Sequence, residues 1–228
     1  MALNPAVPKI GPAWILIQRL DATYLPVDAA AVNLLYNKNV KTTFKPKQYK
    51  IEPHNAAIAI KTLNIGLEEA SVKCDLISQN ADILRICLAE GSASLTAGGA
   101  GVPAILNITG MGAPENFRVF VIYPDLIANV GVSIFSAIED GLDLIIDYFE
   151  FRVASLGGDA VTRDADPGKE SMLSFVANAM VQPGITAIPA KAKEGYTLAG
   201  ALAANLDSAT AADVNAICDA LGMFAGGV

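Results

Sequence analysis

Histidine, tryptophan and aromatic side chains are what this sequence has least of. Among 228 residues there is one histidine, His54, and one tryptophan, Trp14, and aromatics make up 7%. A single histidine excludes a histidine-cluster metal site and makes any Ser-His-Asp triad depend on one residue. That residue lies between Pro53 and Asn55 in an expected turn, and no Gly-x-Ser-x-Gly elbow accompanies it. The three cysteines, Cys74, Cys87 and Cys218, are odd in number and lack CxxC spacing. Cysteines in apolar periodic segments behave as small core hydrophobes, so nothing here calls for an oxidising compartment. Long hydrophobic runs are missing too. Trp14–Ile17 and Leu142–Ile146 fall far short of the roughly 18 apolar residues of a membrane helix, and the N-terminal segment has no secretory signal pattern.

Phosphate cradles are equally scarce. Gly110-x-Gly112 has Glu115 where a third glycine would stand, and Gly168-Lys169 runs into Glu170 rather than Ser or Thr. Asp159, Asp164 and Asp166 lack the twelve-residue calcium-loop pattern and read as a solvated acidic linker. Asn107-Ile108-Thr109 is a glycosylation sequon only in a secreted chain. Carboxylates are numerous enough for a glycosidase-type pair, but such enzymes need the aromatic-rich cleft that this composition does not supply. The reading is of a protein without catalytic, cofactor or metal sites.

What is present is apolar surface and segregated charge. Hydrophobic residues are 53%, charged residues 17%, and mean hydropathy is +0.41. Surplus apolar surface without a membrane span points to large subunit contacts. The net charge of −7 argues against a groove- or backbone-binding nucleic-acid protein. Glu139, Asp140, Asp143, Asp147 and Glu150 fall together with no basic residue among them, whereas Lys38, Lys41, Lys45, Lys47 and Lys50 hold five of the 16 basic charges. Such segregation suits a subunit whose one edge meets a different edge of its neighbour.

Along the chain, residues 1–12 carry Pro5, Pro8 and Pro12 and read as an extended arm. A strand is expected from Trp14, then a strand or short helix over Ala29–Tyr36, then a protruding lysine-rich hairpin or loop, Asn37–Lys50, with Pro46 near its tip. Residues 57–67 and Ala70–Leu76 read as a hairpin turning at Glu68-Glu69, followed by a buried helix over residues 80–90 capped by Asn80 or Ser78 and ended by Gly91. Gly91–Gly101 reads as a loop and Ala104–Ile108 as a short strand. Further strands are expected at Phe117–Tyr123, Val130–Ile138 and Leu142–Val153, the last with Asp143 and Asp147 on one face. The texture changes near residue 157. Asp166-Pro167 reads as a helix start leading to Met172, Phe175, Val176, Ala179 and Met180 on one face, and Thr210–Asp213 as the capped start of a second helix through Val214, Ile217 and Leu221. The expected organisation is thus an arm at 1–12, a β-domain at 13–156 and a helical extension at 157–228.

That order of parts resembles the tail tube proteins of long-tailed bacteriophages: strands, the basic segment Asn37–Lys50, the pair over Ala56–Leu76, the helix containing Asp82-Ile-Leu-Arg-Ile-Cys-Leu, and the later strand Phe117-Arg-Val-Phe-Val-Ile-Tyr. The likeness covers about residues 10–155 and is one of layout rather than of a diagnostic motif; the segment after 158 departs from the family's minimal pattern. The resemblance implies a mainly β, α+β fold, a β-sandwich or half-barrel with one packed helix. It also implies six-membered rings stacking into a hollow tube, related to tubes of contractile tails and type VI secretion systems. DNA would pass through in transit, other tail proteins would meet the tube at its ends and inside its bore, and the protein would reside in the virion. On that view Asp143 and Asp147 are candidates for an acidic bore that repels phosphates, and the five lysines are candidates for contacts between subunits. Other readings of the same sequence are a tail terminator or head decoration protein, or an oligomeric surface- or carbohydrate-binding module.

Overall fold

The computed structural model describes residues 13–51, 61–77, 81–88, 90, 94–99, 102–109, 115–125, 129, 133–156, 172–180 and 189–224. His54, Gly110, Gly112, the aspartates at 159–166 and Gly168-Lys169 lie outside them, as does the arm at 1–12. The fold is mainly β with a few helices, in the α+β class expected. The strands are β1 (Trp14–Leu20), β2 (Pro26–Asn33), β3 (Asn37–Ile51), β4 (Lys61–Leu76), the short pair β5 (Leu95–Thr96) and β6 (Ile105–Leu106), β7 (Asn116–Pro124), β8 (Leu144–Leu156), β9 (Leu173–Ala179) and β10 (Ala190–Leu198). The helices are α1 (Ala81–Cys87), α2 (Ile134–Asp140), α3 (Gly200–Ala203) and α4 (Ala211–Leu221). One antiparallel sheet runs in the order β2-β1-β7-β8-β9-β4-β3, and β10 pairs with β8 as a branch.

The sheet rolls so that its far end faces its middle. On β3, Thr42 Oγ1 lies 3.1 Å from the Tyr123 hydroxyl of β7, and the Phe44 ring sits 5.2 Å from Phe149 and 6.0 Å from Phe151 of β8. Inside the roll, Ile15, Ile17, Val119, Val121, Phe151, Val72, Cys74 and Phe175 form one core, plugged by Ile83 and Ile86 of α1. Alternate residues of the same strands, Trp14, Leu16, Phe120, Ile122, Ile146 and Tyr148, face the other way against α2, α3 and α4. A sheet buried on both faces explains why β1, β7 and β8 are near-continuous hydrophobic runs.

β8 serves both cores by means of a bulge. Its partners on β7 step from Val119↔Phe151 to Phe117↔Ala154, so Arg152 and Val153 together oppose Arg118. The extra residue flips the side-chain parity, and Ala154 and Leu156 join Phe151 in the inner core.

Four expectations are corrected. Residues 61–76 are one strand running through Glu68-Glu69, bulged there (Lys45↔Glu69, then Pro46↔Leu67) rather than turning. Asn37–Ile51 is likewise a single strand, so Pro46 is no tip; having no N–H, it sits at the bulge. Within the strand expected over Val130–Ile138, the described residues from Ile134 belong instead to helix α2, stopped by Gly141 at φ +64° with Leu142 N–H donating to Ala137 O. The helix expected at 172–180 is strand β9, with Leu173, Phe175 and Ala177 in the core between β8 and β4. The described part of the C-terminal third is therefore no appendage, because it supplies an interior strand and two of the helices, α3 and α4, that cover the sheet. The buried helix is found as α1, shorter than expected, and Arg85 on it is also buried, held by Asp82 and by Glu115 at 2.8 Å.

A polar seam fastens α4 and the chain on either side of it to the sheet. Gln18 Nε2 donates to Asn215 Oδ1 and Asp219 Oδ1, and Asn33 Nδ2 donates to Leu206 O and Ser208 O. Tyr148 Oη donates to Leu221 O at 2.7 Å. Glu150, fully buried, accepts from Arg118 Nε with one oxygen and from the Met223 backbone N–H with the other. A Cβ on Gly222 would lie 2.4 Å from an Arg118 nitrogen, so only glycine lets the chain pass there without moving that guanidinium. Lys191 Nζ donates to Met223 O and lies 4.3 Å from the Phe224 ring centre.

Candidate functional site: a lysine-bearing edge ribbon

β4 pairs with β9 only over Ser71–Leu76. Beyond that point its sole partner among the described residues is β3, and the two continue past the body of the sheet as a ribbon through Lys50↔Thr62 and Ile51↔Lys61. Counted from Lys45, the free part of β3 is roughly 24 Å long at about 3.4 Å per residue. A two-stranded ribbon is at best marginal in water without a surface to lie on. Its apolar side chains are open: Tyr49 is 59% exposed, Leu67 41% and Leu63 36%. Among the described residues, β3 ends the sheet, leaving one backbone edge without a strand partner.

Three irregularities set which way the lysines point. Asn39, at φ +55°, forms a bulge opposite Cys74, so Lys38 pairs Asp75 and Lys41 pairs Lys73. Asp75 and Lys73 lie on the face opposite the buried Cys74 and Val72, so Lys38 and Lys41 share that outer face. Lys45, paired with Glu69, continues the row, and Lys47 follows opposite Gly66, where φ +137° marks a second bulge on β4. Val40, Thr42 and Phe44 alternate with them and look into the roll. Four of the five lysines singled out in the sequence therefore form one exposed row. Lys50 lies in the same strand opposite Thr62. Lys45 Nζ is 3.0 Å from Glu68, with both side chains more than half exposed; in water such a pair contributes about 0–1 kcal/mol.

The two aspartates offered for an acidic bore do not form a pair of free carboxylates. Asp147 is 7% exposed, and its Oδ1 accepts from the Gly195 N–H at 2.7 Å. That N–H belongs to the bulge of β10 between Lys193 and Tyr196. Asp143 is exposed, but its Oδ1 accepts from the Gly200 N–H at the start of α3 at 2.8 Å. Asp147 is thus a structural acceptor inside the subunit. The exposed acid in this region is instead Glu139 and Asp140 at the end of α2, with Asp143 beside them.

Sequence reasoning missed that the ribbon's exposed residues come from both strands. Leu63 and Leu67 were visible in the alternation of 57–67, but the assumed turn at Glu68-Glu69 placed them in a body hairpin. Among the described residues no three His, Cys, Asp or Glu side chains gather to hold a metal ion, and no helix is long and apolar enough to cross a membrane. No protein-family model matches this chain, and no curated protein matches it.

Proposed function

We propose that the protein is a structural subunit that assembles with copies of itself, in the manner of a phage tail tube protein whose stacked rings form a conduit for DNA. The observation that carries this reading is the β3–β4 ribbon, which leaves the body with open apolar residues, an edge unpaired among the described residues and a lysine row. Each of these is offset by a partner. Edge backbone groups pair with a strand, Tyr49, Leu63 and Leu67 leave water, and the lysines meet carboxylates such as Glu139 and Asp140. Apolar excess across the chain and the rolled sheet with its packed helix fit the same role. In this reading the protein belongs to the virion, acts without a cofactor or catalysis, and meets other tail proteins at the tube ends and inside the bore.

Negative-stain imaging and sedimentation of the purified full chain test the reading. Rings or long polymers are expected, and Tyr49→Asp combined with Leu67→Asp is expected to abolish them while leaving the far-UV circular dichroism unchanged. A small discrete oligomer would favour a surface- or carbohydrate-binding module instead. A monomer that persists at the highest attainable concentration would refute self-assembly.

A further inference from the structure

A second apolar feature lies away from the ribbon. Where β1 begins, a pocket of about 270 Å³ opens between Trp14, Leu34, Tyr36, Asn37, Phe135 and Asp207. Its rim aromatics face water: Tyr36 is 72% exposed and Phe135 of α2 is 65% exposed. Tyr36 is held at φ +56°, a left-handed conformation that a bulky side chain adopts only against strain. The floor is fixed by hydrogen bonds. Asn37 Nδ2 donates to Ala13 O and Leu34 O, Trp14 Nε1 donates to Asp207 Oδ1 at 2.9 Å, and Ile77 N–H donates to Tyr36 O. Asp207 is exposed, which leaves its other oxygen open to a cation. The pocket is below the usual size range for small-molecule sites and suits a few side chains of a peptide.

An aromatic-walled groove with a carboxylate at its end is the chemistry that takes a proline-rich strand followed by a basic residue. This chain carries one: Pro5-Ala6-Val7-Pro8-Lys9, in the twelve residues that lead to Ala13 on the pocket's own rim. In a polyproline helix of three residues per turn, prolines three apart fall on one side, about 9 Å from each other. At about 3.1 Å per residue, Pro8 and Pro5 would stand roughly 15 and 25 Å along the chain from Ala13. Reaching back into the chain's own pocket would require a full reversal within Lys9–Pro12, four residues spanning only about 12 Å at about 3.1 Å each, whereas the same pocket on a neighbouring copy is reached with no reversal.

We infer that the Pro5–Lys9 segment of one copy docks in the Trp14–Tyr36–Phe135 groove of a neighbouring copy, its prolines against the aromatic rings and Lys9 toward Asp207. This rests on the self-assembly reading and adds to it a second, independent contact.

Cross-linking tests it in the full chain. Ala6→Cys keeps both prolines, Leu35→Cys keeps all three aromatics, and the native Cys74, Cys87 and Cys218 are buried. Mixing the two single variants under mild oxidation is expected to give a disulfide-linked two-chain product, absent from either variant alone. Tyr36→Ala with Phe135→Ala should cut its yield at least tenfold. Far-UV circular dichroism of each variant checks that it is folded. As a second measurement, a synthetic Leu3–Ile10 peptide should perturb the emission of Trp14, the sole tryptophan, with at least tenfold weaker binding to the Tyr36→Ala/Phe135→Ala chain. Closure of the Ala6→Cys/Leu35→Cys chain on itself as a monomer would overturn the exchange between copies. Absence of any cross-link while rings or polymers still form would overturn the arm contact and leave the self-assembly reading standing. Absence of both would remove both.

Discussion

Replacing Glu150 with glutamine tests whether the end of the chain is fastened to the sheet by an ion pair. Glu150 is 0% exposed and Arg118 8%, and the carboxylate also accepts from the Met223 N–H. Removing one partner of such a pair leaves a buried charge uncompensated, at a cost of about 3–5 kcal/mol. For a domain of this size that lowers Tm by roughly 6–20 °C, at about 2–4 °C per kcal/mol. The double replacement Arg118→Met with Glu150→Met removes both charges and should recover most of the loss. A deficit of about 1–3 kcal/mol should remain, because Met223 N–H loses its acceptor. Urea unfolding at pH 8, followed by Trp14 emission and circular dichroism, measures all three proteins. Burial holds the Glu150 carboxyl above its ordinary value of 4.5, against the opposing pull of Arg118 and the Met223 N–H. Between that ordinary value and the higher folded value the native state keeps a proton that the unfolded chain has lost. This contribution to stability is therefore full below about pH 4.5 and falls as pH rises through the window, a slope that Glu150→Gln should lack. A Glu150→Gln protein within about 1 kcal/mol of wild type at pH 8, or a double variant no more stable than the single one, would refute the ion-pair argument.

Three further outcomes follow from the geometry. Lys41→Glu with Lys45→Glu should reduce polymer mass in sedimentation while moving monomer stability by less than about 1 kcal/mol, since both side chains are exposed and the Lys45–Glu68 pair is weak. Phe175→Ala should cost about 3–5 kcal/mol in urea unfolding, because that ring is 1% exposed in the inner core; a loss under about 1 kcal/mol would return 157–228 to the status of an appendage. No cysteine of the native chain should react with a thiol reagent at pH 8 until urea unfolds it, since Cys74, Cys87 and Cys218 are buried and burial pushes the Cys87 thiol up to about 12; one fast-reacting thiol would contradict this.

The strands that bury both faces were the most legible in the sequence. Trp14–Leu20 and Phe117–Tyr123 are dense runs of β-formers with few competing interpretations, and both are strands. Segments where two periods compete were not legible. Met172, Phe175, Val176 and Ala179 fit a helical stripe, while Leu173, Phe175 and Ala177 fit a strand. The vacancy between β8 and β4, a tertiary fact, decides for the strand. Ile134–Asp140 was missed for a related reason. Glu139-Asp140-Gly141 looks like a hairpin turn, whereas the glycine is in fact the left-handed end of a helix. At the candidate site, the clustering of lysines was readable, and their common face was not, because it depends on bulges at Asn39 and near Gly66. Asp147 illustrates the same limit. Alternation places it on a face, but only the bulge at Gly195 in β10 tells that the face is covered.

The lysine row also bears on which contacts between copies are open to the ribbon. An unpaired edge strand is most simply satisfied by the same edge of another copy, which gives a closed two-fold dimer. Here that pairing would bring Lys38, Lys41, Lys45 and Lys47 of one chain up against the same four of the other. Lys41 already stands across from Lys73 within its own chain. Like charges directly opposite destabilise a strand pair, and eight of them along one seam would oppose it throughout. A contact between unlike surfaces carries no such penalty, since Glu139, Asp140 and Asp143 lie exposed at the end of α2 and the start of β8, on an element distinct from the ribbon. Head-to-tail contact of this kind does not terminate at two copies; it closes into a ring or continues as a filament, according to the rotation between neighbours. The charge pattern on β3 thus disfavours the dimer and favours the class of assembly that a tube requires.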